Sequence, residues 1–326
     1  MVIARPPPDK TNGPAPDWIH RQLYDRVIAA LHALPVRFKS SLVIEGVPVT
    51  DLFTLNTPLG AAIEASVVDS LNGLRDVWDP KSEYASYAFF RQSQAFPDVL
   101  LRASDPSVTD GVVMGIELKG WFAIAKEAVP SYRYLTTANA CADADLLVVI
   151  PWIFDSVVSG KPKLLQPIIT EAKYAALMRN HYWEITRKAK CTDEERQVVR
   201  SLHNGLYPLK NEASLDRAVF DNGNNFGRIA RCGLYTDIEQ TLNELALGVP
   251  LRIWRDFVGI FKDTSSPADL DREIAKLAAR ESQMNPLEVT ADQRRDLLLR
   301  IQEIAGALIA SESHPNRKPV GKKKPK

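Results

Sequence analysis

An alternating run from Val112 to Lys119 is the sequence feature that most constrains the fold. On a β-strand, one face of this run carries four apolar side chains, those of Val112, Met114, Ile116 and Leu118. Glu117 and Lys119 share the opposite face, next to Gly115, which leaves room for close approach. A carboxylate and an ammonium on an otherwise apolar strand are costly to bury unless each other, a metal ion or a solvent-filled cleft compensates them. The run therefore predicts a strand that carries a charged site.

A third charged residue is expected to join this site. Asp98 begins the preceding apolar run VLLR, and the polar stretch SDPSVTDG would form a turn that returns this run beside Glu117. Two carboxylates suit Mg²⁺, a hard cation that keeps several waters and takes a substrate phosphate as a further ligand. The lysine would orient or help deprotonate a metal-bound water and offset charge in the transition state. This chemistry is that of a metal-dependent phosphodiesterase.

The same residues carry a family resemblance. Pro97-Asp98 followed by Glu117-Leu118-Lys119 is similar to the PD-(D/E)xK nuclease superfamily, most closely in style to its type II restriction endonucleases, and the resemblance covers about 58 to 155. It implies an α/β fold with a restriction-endonuclease-like core, a central mixed sheet flanked by helices, and additional helical segments. It implies Asp98 and Glu117 as Mg²⁺ ligands, Lys119 as the catalytic lysine and Glu64, on the preceding helix, as a residue that completes the site. The products would carry 5′-phosphates.

Context separates this motif from chance matches. Pro-Asp occurs at 8, 16 and 97, and the [DE]xK triplet at 79, 117 and 171. Only Asp98 and Glu117 are close in sequence and join two strand-like runs through a turn. A plain ion pair on a surface strand remains the structural alternative. Glu64 borders the apolar stripe of its helix, which suits either a site residue or an ordinary helix-flank glutamate.

Four segments are expected along the chain. They are a disordered Pro-rich arm at 1–16, a nuclease domain with DNA-recognition elements at 17–262, a helical hairpin and candidate dimerisation element at 268–312, and a disordered basic tail at 313–326.

Within the nuclease domain, periodicity predicts several elements. One helix would be capped by Asp17 and stopped by Pro35, and a second would span about 58 to 76, after a Thr57 cap. Between 96 and 175 short β-rich runs alternate with helix-compatible segments, including a strand-helix-strand continuation into DLLVVIPWIF. A helix over EAKYAALMRNHYWEITRKAK would follow, then a polar stretch ending in DNGNNFGRIARCGLY, and then mostly helical sequence to about 262.

Candidate DNA contacts lie in two places. Asn224 and Asn225 precede an expected helix start that sets Arg228 and Arg231 one turn apart; Asn can pair with adenine and Arg with guanine. An Asn- and Gly-rich turn before an ordinary helix explains the same residues. Two further basic residues, Lys126 and Arg133, follow the catalytic strand and could hold a phosphate.

Charge and cysteine content bear on the partner and on the cellular compartment of the protein. Lys and Arg number 41 and Asp and Glu 40, so a double-stranded DNA partner requires a confined basic cleft. The 3 cysteines form no CxxC pair and favour a reducing compartment, and no signal peptide or membrane span is expected, so we expect a cytoplasmic protein. Cutting both strands of a symmetric site calls for a homodimer.

Two other functions stay open. One is a repair, recombination or modification-dependent nuclease on the same core. The other is a non-catalytic DNA-binding protein that keeps the sheet, against which the presence of Asp98, Glu117 and Lys119 together argues.

Overall fold

The chain is described here from a computed structural model. The described residues are 5–47, 51, 56–92, 94–105, 107–108, 111–127, 129–187, 192–210, 212, 214–221, 225–260, 266, 268–269, 271–273 and 275–276. The chain divides into two compact units, one of Met1–Val47 with Asp51–Arg255 and one of Pro48–Thr50 with Asp256–Lys326.

A six-stranded mixed sheet forms the centre of the first unit. Its strands are β1 (Tyr87–Arg91), β2 (Val99–Ala103), β3 (Val112–Phe122), β4 (Leu146–Phe154), β5 (Pro162–Leu164) and β6 (Ile168–Glu171). The first three strands form an antiparallel meander, β4 runs parallel to β3, and β5 and β6 both pair antiparallel with β4. All nine residues of β4 are buried, as its unbroken apolar sequence requires of a central strand.

The helices are α1 (Arg21–Arg37), α2 (Asn56–Gly73), α3 (Arg75–Trp78), α4 (Ala172–His181), α5 (Asp237–Asn243) and α6 (Leu251–Ile260). Of these, α1, α2 and α4 pack against strands of the sheet. The apolar stripe of α2, which includes Ile63, Val67 and Leu71, is buried, and α2 packs against β1 and β3. The α4 helix packs against β4 and β6. The predicted class, α/β with a central mixed sheet flanked by helices, is confirmed at this level.

The connection from β3 to β4 differs from the prediction. In its described residues it contains one short 3₁₀-helix, Ala138–Ala140, and no α-helix, so the strand-helix-strand prediction is wrong here. Two of its backbone N–H groups bond to distant segments: Tyr134 donates to the Gly227 carbonyl at 2.9 Å and Thr137 to the Ser214 carbonyl at 2.8 Å. Because these N–H groups are already hydrogen-bonded to other segments, they cannot form the successive backbone hydrogen bonds of an α-helix.

The first helix is also displaced from its predicted bounds. Asp17 does not cap it, because residues 15 to 20 form turns in which Trp18 N–H donates to the Ala15 carbonyl at 3.0 Å. Pro35 lies inside α1 instead of ending it. A proline removes one donor but leaves its own carbonyl, so near a C-terminus the helix can continue for two residues. Before α1, Pro14 is buried and Gly13 N–H donates to Glu171 Oε1 at 3.2 Å.

The polar stretch predicted after α4 contains little helix, and a hairpin interrupts the mostly helical sequence predicted beyond it. A π-helical turn (Tyr182–Thr186), a two-strand pair of β7 (Val198–Val199) and β8 (Arg217–Ala218), and a 3₁₀-helix (Ile229–Cys232) precede α5. Another hairpin, of β9 (Leu245–Ala246) and β10 (Val249–Pro250), separates α5 from α6. Leu247 and Gly248 turn this hairpin at positive φ, which ends the helical run.

The described residues of the second unit are the end of α6, residue 266 and short helical pieces at 268–269, 271–273 and 275–276. Lys276 Nζ there lies 2.6 Å from Glu273 Oε1. Most of the predicted hairpin at 268–312 and all of the tail at 313–326 lie outside the described residues. None of the helices in the described part of the chain combines the length and the apolar character needed to span a bilayer.

Candidate active site

Asp98 is held at the point where β1, β2 and β3 meet. It precedes β2, and its backbone carbonyl accepts a hydrogen bond from Gln92 N–H at 2.6 Å. The Gln92 side-chain amide donates to the Pro97 carbonyl at 2.9 Å. On the other side, Asp98 Oδ2 accepts the Leu118 N–H at 2.8 Å. These bonds fix the carboxylate beside residues 117 to 119.

Glu117 and Lys119 lie on β3, between β2 and β4. The antiparallel pairing of Val99 with Ile116 returns β2 to this part of β3. Lys119 Nζ donates to Glu117 Oε1 at 2.6 Å, and their side chains are only 21% and 11% exposed. The two charges predicted to share a strand face are therefore paired and recessed.

Glu64 reaches the same place from α2. Its carboxylate accepts a hydrogen bond from the Gly120 N–H and lies within electrostatic reach of Asp98 and Lys119. Close packing of α2 on β3 explains this, because a Cβ added at Gly120 would lie 3.4 Å from Gly60 Cα. The structure thus brings together all four residues proposed for the catalytic site, three carboxylates and one lysine.

The electrostatics of this cluster show a surplus of negative charge. Burial raises the pKa of Glu117 to about 7; Lys119 opposes this shift, whereas Asp98 and Glu64 add to it. The pKa of Glu64 is raised mainly by burial and by Asp98. Burial acts to lower the pKa of Lys119, but Glu117, Asp98 and Glu64 outweigh it and the pKa is raised. A bound cation would relieve this repulsion.

A cavity of about 610 Å³ lies beside the cluster. Its walls come from the start of α2, the end of β3 and the segment after β3, and they comprise Gly60, Ala61, Glu64, Lys119, Gly120, Trp121, Ala125, Lys126, Glu127, Pro130, Ser131 and Tyr132. Two of the four clustered residues therefore face a space that a substrate can enter.

The donor set fits magnesium. Among the described residues, no three His, Cys, Asp or Glu side chains form a group that could hold a metal ion by themselves. Mg²⁺ does not need such a cage, because it usually binds through one or two carboxylates and keeps several waters. Asp98 and Glu117 supply two carboxylates that act electrostatically on each other, and a bound cation would offset the burial that raises the pKa of Glu117.

Of the two candidate DNA contacts that follow β3, Lys126 lines the cavity and Arg133 does not. Lys126 lines the cavity, close to the catalytic cluster as predicted from its position after the strand. Arg133 is exposed and directly follows Tyr132, the last residue of the cavity wall.

The second group of candidate contacts lies on a separate segment. Asn224 lies outside the described residues. The Arg231 guanidinium donates to Asn225 Oδ1 at 2.9 Å, and Asp221 accepts the Asn225 N–H at 2.6 Å. Arg228 precedes a four-residue 3₁₀-helix rather than the expected longer helix. The hydrogen bonds of Asn225 and Arg231 hold an ordered turn, which is the structural alternative to a DNA contact that the sequence left open.

Sequence reasoning missed two residues that shape the site. Asp145, fully buried, accepts hydrogen bonds from Gly115 N–H at 2.6 Å, Ala142 N–H at 2.7 Å and the Tyr207 hydroxyl at 3.0 Å. It thereby fixes β3 two residues before Glu117. Arg91, at the end of β1, acts electrostatically on Glu64. The position of Asp145 directly before the apolar run of β4 is the one sequence signal that could have indicated it.

Comparisons of the chain with protein-family models, with curated proteins and with solved structures gave no match. The chemistry of the site therefore has to carry the functional assignment by itself.

Proposed function

We propose that the protein is a Mg²⁺-dependent endodeoxyribonuclease, similar to type II restriction endonucleases, that hydrolyses double-stranded DNA to leave 5′-phosphate ends. One observation carries the proposal: four charged residues, Glu64, Asp98, Glu117 and Lys119, converge beside a cavity, and the pKa of Glu117 is raised to about 7. Recessed titratable groups with shifted pKa values beside a cavity are typical of catalytic sites.

The order of the elements also supports the proposal. Helix α2 with Glu64 comes first, the β1–β2–β3 meander follows, Asp98 stands at the start of β2, and the Glu117–Lys119 pair lies on β3. A mixed sheet flanked by helices is the core that the family resemblance implies. We propose that it is a restriction-endonuclease-like core.

Asp98 and Glu117 would hold the Mg²⁺ ion. When bound, such an ion polarises the phosphate and lowers the pKa of a coordinated water.

The chain's own residues have distinct tasks in this scheme. Lys119 remains an ammonium at neutral pH because its pKa is raised, so it donates hydrogen bonds, orients the attacking water and offsets charge that develops on the phosphate. Glu64 is a stronger base than an exposed glutamate because its pKa is raised, and it can accept a proton at the cavity wall. Lys126, on the same wall, would hold a neighbouring phosphate.

A cleavage assay tests this function. Wild-type protein and the variants Asp98→Ala, Lys119→Ala and Lys173→Ala would be incubated with phage and plasmid DNA in Mg²⁺ or EDTA. Lys173 is the matched control, because it ends another Glu-x-Lys triplet but is 44% exposed and pairs with Asp143. We expect discrete Mg²⁺-dependent fragments from wild type and Lys173→Ala, and cleavage lowered by about 10²-fold or more in the other two variants.

Other outcomes would assign the chain differently. Selective cutting of branched or modified DNA would favour a repair, recombination or modification-dependent nuclease. Tight DNA binding without cleavage by the folded protein would favour the non-catalytic alternative. Unchanged cleavage in both Asp98→Ala and Lys119→Ala would exclude the proposed site.

We also propose a homodimer, because two active sites are needed to cut both strands of a two-fold symmetric sequence. We propose a cytoplasmic location because the 3 cysteines form no CxxC pair and favour a reducing compartment. Light scattering during gel filtration, with and without DNA, tests the dimer. A monomer at all concentrations would contradict it.

A further inference from the structure

The cavity beside Lys119 is larger than a single phosphate group requires. Its volume, about 610 Å³, lies within the range of about 300–1,000 Å³ that holds a whole small ligand. Four small residues, Gly60, Ala61, Gly120 and Ala125, leave this space open. A Cβ added at Gly60 would meet no atom within 4 Å.

The catalytic side chains are recessed rather than displayed on a rim. Lys119 is 21% exposed and Glu117 is 11% exposed, and Lys119 forms part of the cavity wall. A phosphate that contacts Lys119 therefore lies at the cavity wall. The cavity volume suits one nucleotide rather than a stretch of duplex, so a base can occupy it only after leaving the helical stack.

The remaining wall suits a nucleotide. Half-buried Tyr132, together with the part of buried Trp121 and Pro130 that lines the cavity, provides apolar and aromatic surface, whereas Lys126 and Ser131 provide donors and Glu127 an acceptor. Aromatic surface retains an unpaired base whatever its identity, because every base has a π-face.

We propose that the cavity receives one unpaired nucleotide of the strand that is cut, with its phosphate at Lys119 and its base against the wall of Trp121, Pro130 and Tyr132. This inference rests on the proposed nuclease function. The nucleotide has two sources, extrusion from a duplex or an unpaired strand end. Extrusion requires unpairing and unstacking of the base, which is easier where its pairing is already lost.

The test compares three DNAs that share the sequence of one fragment cut in the plasmid assay. The first is fully paired, the second has an abasic position opposite the nucleotide at the cut, and the third has a partner strand that stops at the cut. We expect the wild type to cleave the second or third DNA faster than the first by roughly tenfold, since lost pairing removes the cost of extrusion. Preference for the second identifies extrusion, and preference for the third identifies a strand end.

Matched variants on α2 connect the preference to the cavity. Ala61 and Ala62 are adjacent and exposed, but only Ala61 is part of the cavity wall. Ala61→Leu should abolish the preference and weaken binding of the unpaired DNA by roughly tenfold, the loss expected for one stacked base. Ala62→Leu should keep both. Gly60→Leu is a second cavity-filling variant, and circular dichroism checks that each variant is folded.

Equal cleavage of the three DNAs, or a preference that persists in folded Ala61→Leu and Gly60→Leu, would overturn the inference while the nuclease function stands. If no DNA is cut at all, both the function and the inference fail.

Discussion

Lys119 Nζ and Glu117 Oε1 lie 2.6 Å apart on one strand in the middle of the sheet, recessed from solvent. Such a pair is weak support for stability, because desolvation of both charges offsets most of their attraction. Two further carboxylates, Asp98 and Glu64, act on the same lysine. One ammonium facing three carboxylates leaves unbalanced negative charge.

Magnesium should stabilise the folded protein. Mg²⁺ relieves repulsion among carboxylates that the unfolded chain does not hold together, so Tm should rise on its addition and fall again with EDTA, by an amount equivalent to about 2.7 kcal/mol at 100 times the dissociation constant. The double variant Asp98→Asn/Glu117→Gln should lose most of this shift in differential scanning fluorimetry. Asp143→Asn, which changes a side chain that is 71% exposed, is the control. A shift that persists in the double variant would place the ion elsewhere.

Gly115→Ala should impair both stability and cleavage. A Cβ at this position would lie 2.4 Å from Pro97 Cγ and 3.0 Å from Asp145 Oδ1, so Pro97 and the adjacent Asp98 would have to move. We expect a loss of about 1–3 kcal/mol in urea denaturation. Gly73→Ala is the control, because its added Cβ meets nothing within 4 Å. Equal behaviour of the two variants would show that Gly115 is not needed for close approach.

Stability should depend on pH through Asp145. Burial raises the pKa of this carboxyl from 3.8 to about 6, against the opposing hydrogen bonds of Ala142, Gly115 and Tyr207. Because the folded state binds this proton more tightly, its contribution is fully present below about pH 4 and is lost as pH rises through about 6. Each tenfold difference in proton affinity is worth about 1.4 kcal/mol, so the total is on the order of 3 kcal/mol.

Urea denaturation across this pH range should show this loss of stability with rising pH in wild type and in Asp76→Asn, whose side chain is 66% exposed, but not in Asp145→Asn. Asp145→Asn should also be less stable throughout, because one of the N–H groups from Gly115 and Ala142 then faces an amide donor. Parallel pH profiles for wild type and Asp145→Asn would contradict the prediction.

Removal of one partner of the buried Arg179–Asp216 ion pair should be strongly destabilising. Both side chains are 1% exposed, and Arg179 also donates to the Tyr134 and Thr136 carbonyls at 2.9 and 3.0 Å. Asp216→Asn leaves a buried guanidinium unpaired, which costs about 3–5 kcal/mol. Lys173→Ala, which breaks an exposed pair, should cost less than about 1 kcal/mol. Similar losses in chemical denaturation would refute this ranking.

The sequence was a good guide where the relevant contacts are local. Alternation along β3 places Glu117 and Lys119 on one face, and a short polar turn brings β2 back antiparallel so that Asp98 meets them. The buried stripe of α2 was likewise readable from spacing of three and four residues. The sequence was a poor guide to the connection between β3 and β4, because the N–H groups of Tyr134 and Thr137 bond to residues far along the chain.

By itself, therefore, the sequence determined the α/β class, the strand that carries the site and the encounter of Asp98 with Glu117 and Lys119, since strand alternation and hairpin return operate over short distances. Only the tertiary structure decided that Glu64 joins them, through the packing of α2 on β3, and that Asp145 fixes Gly115. It also decided the cavity, whose walls come from α2, the end of β3 and the segment after it. These features depend on segments that are distant in sequence, and no local periodicity specifies how such segments pack.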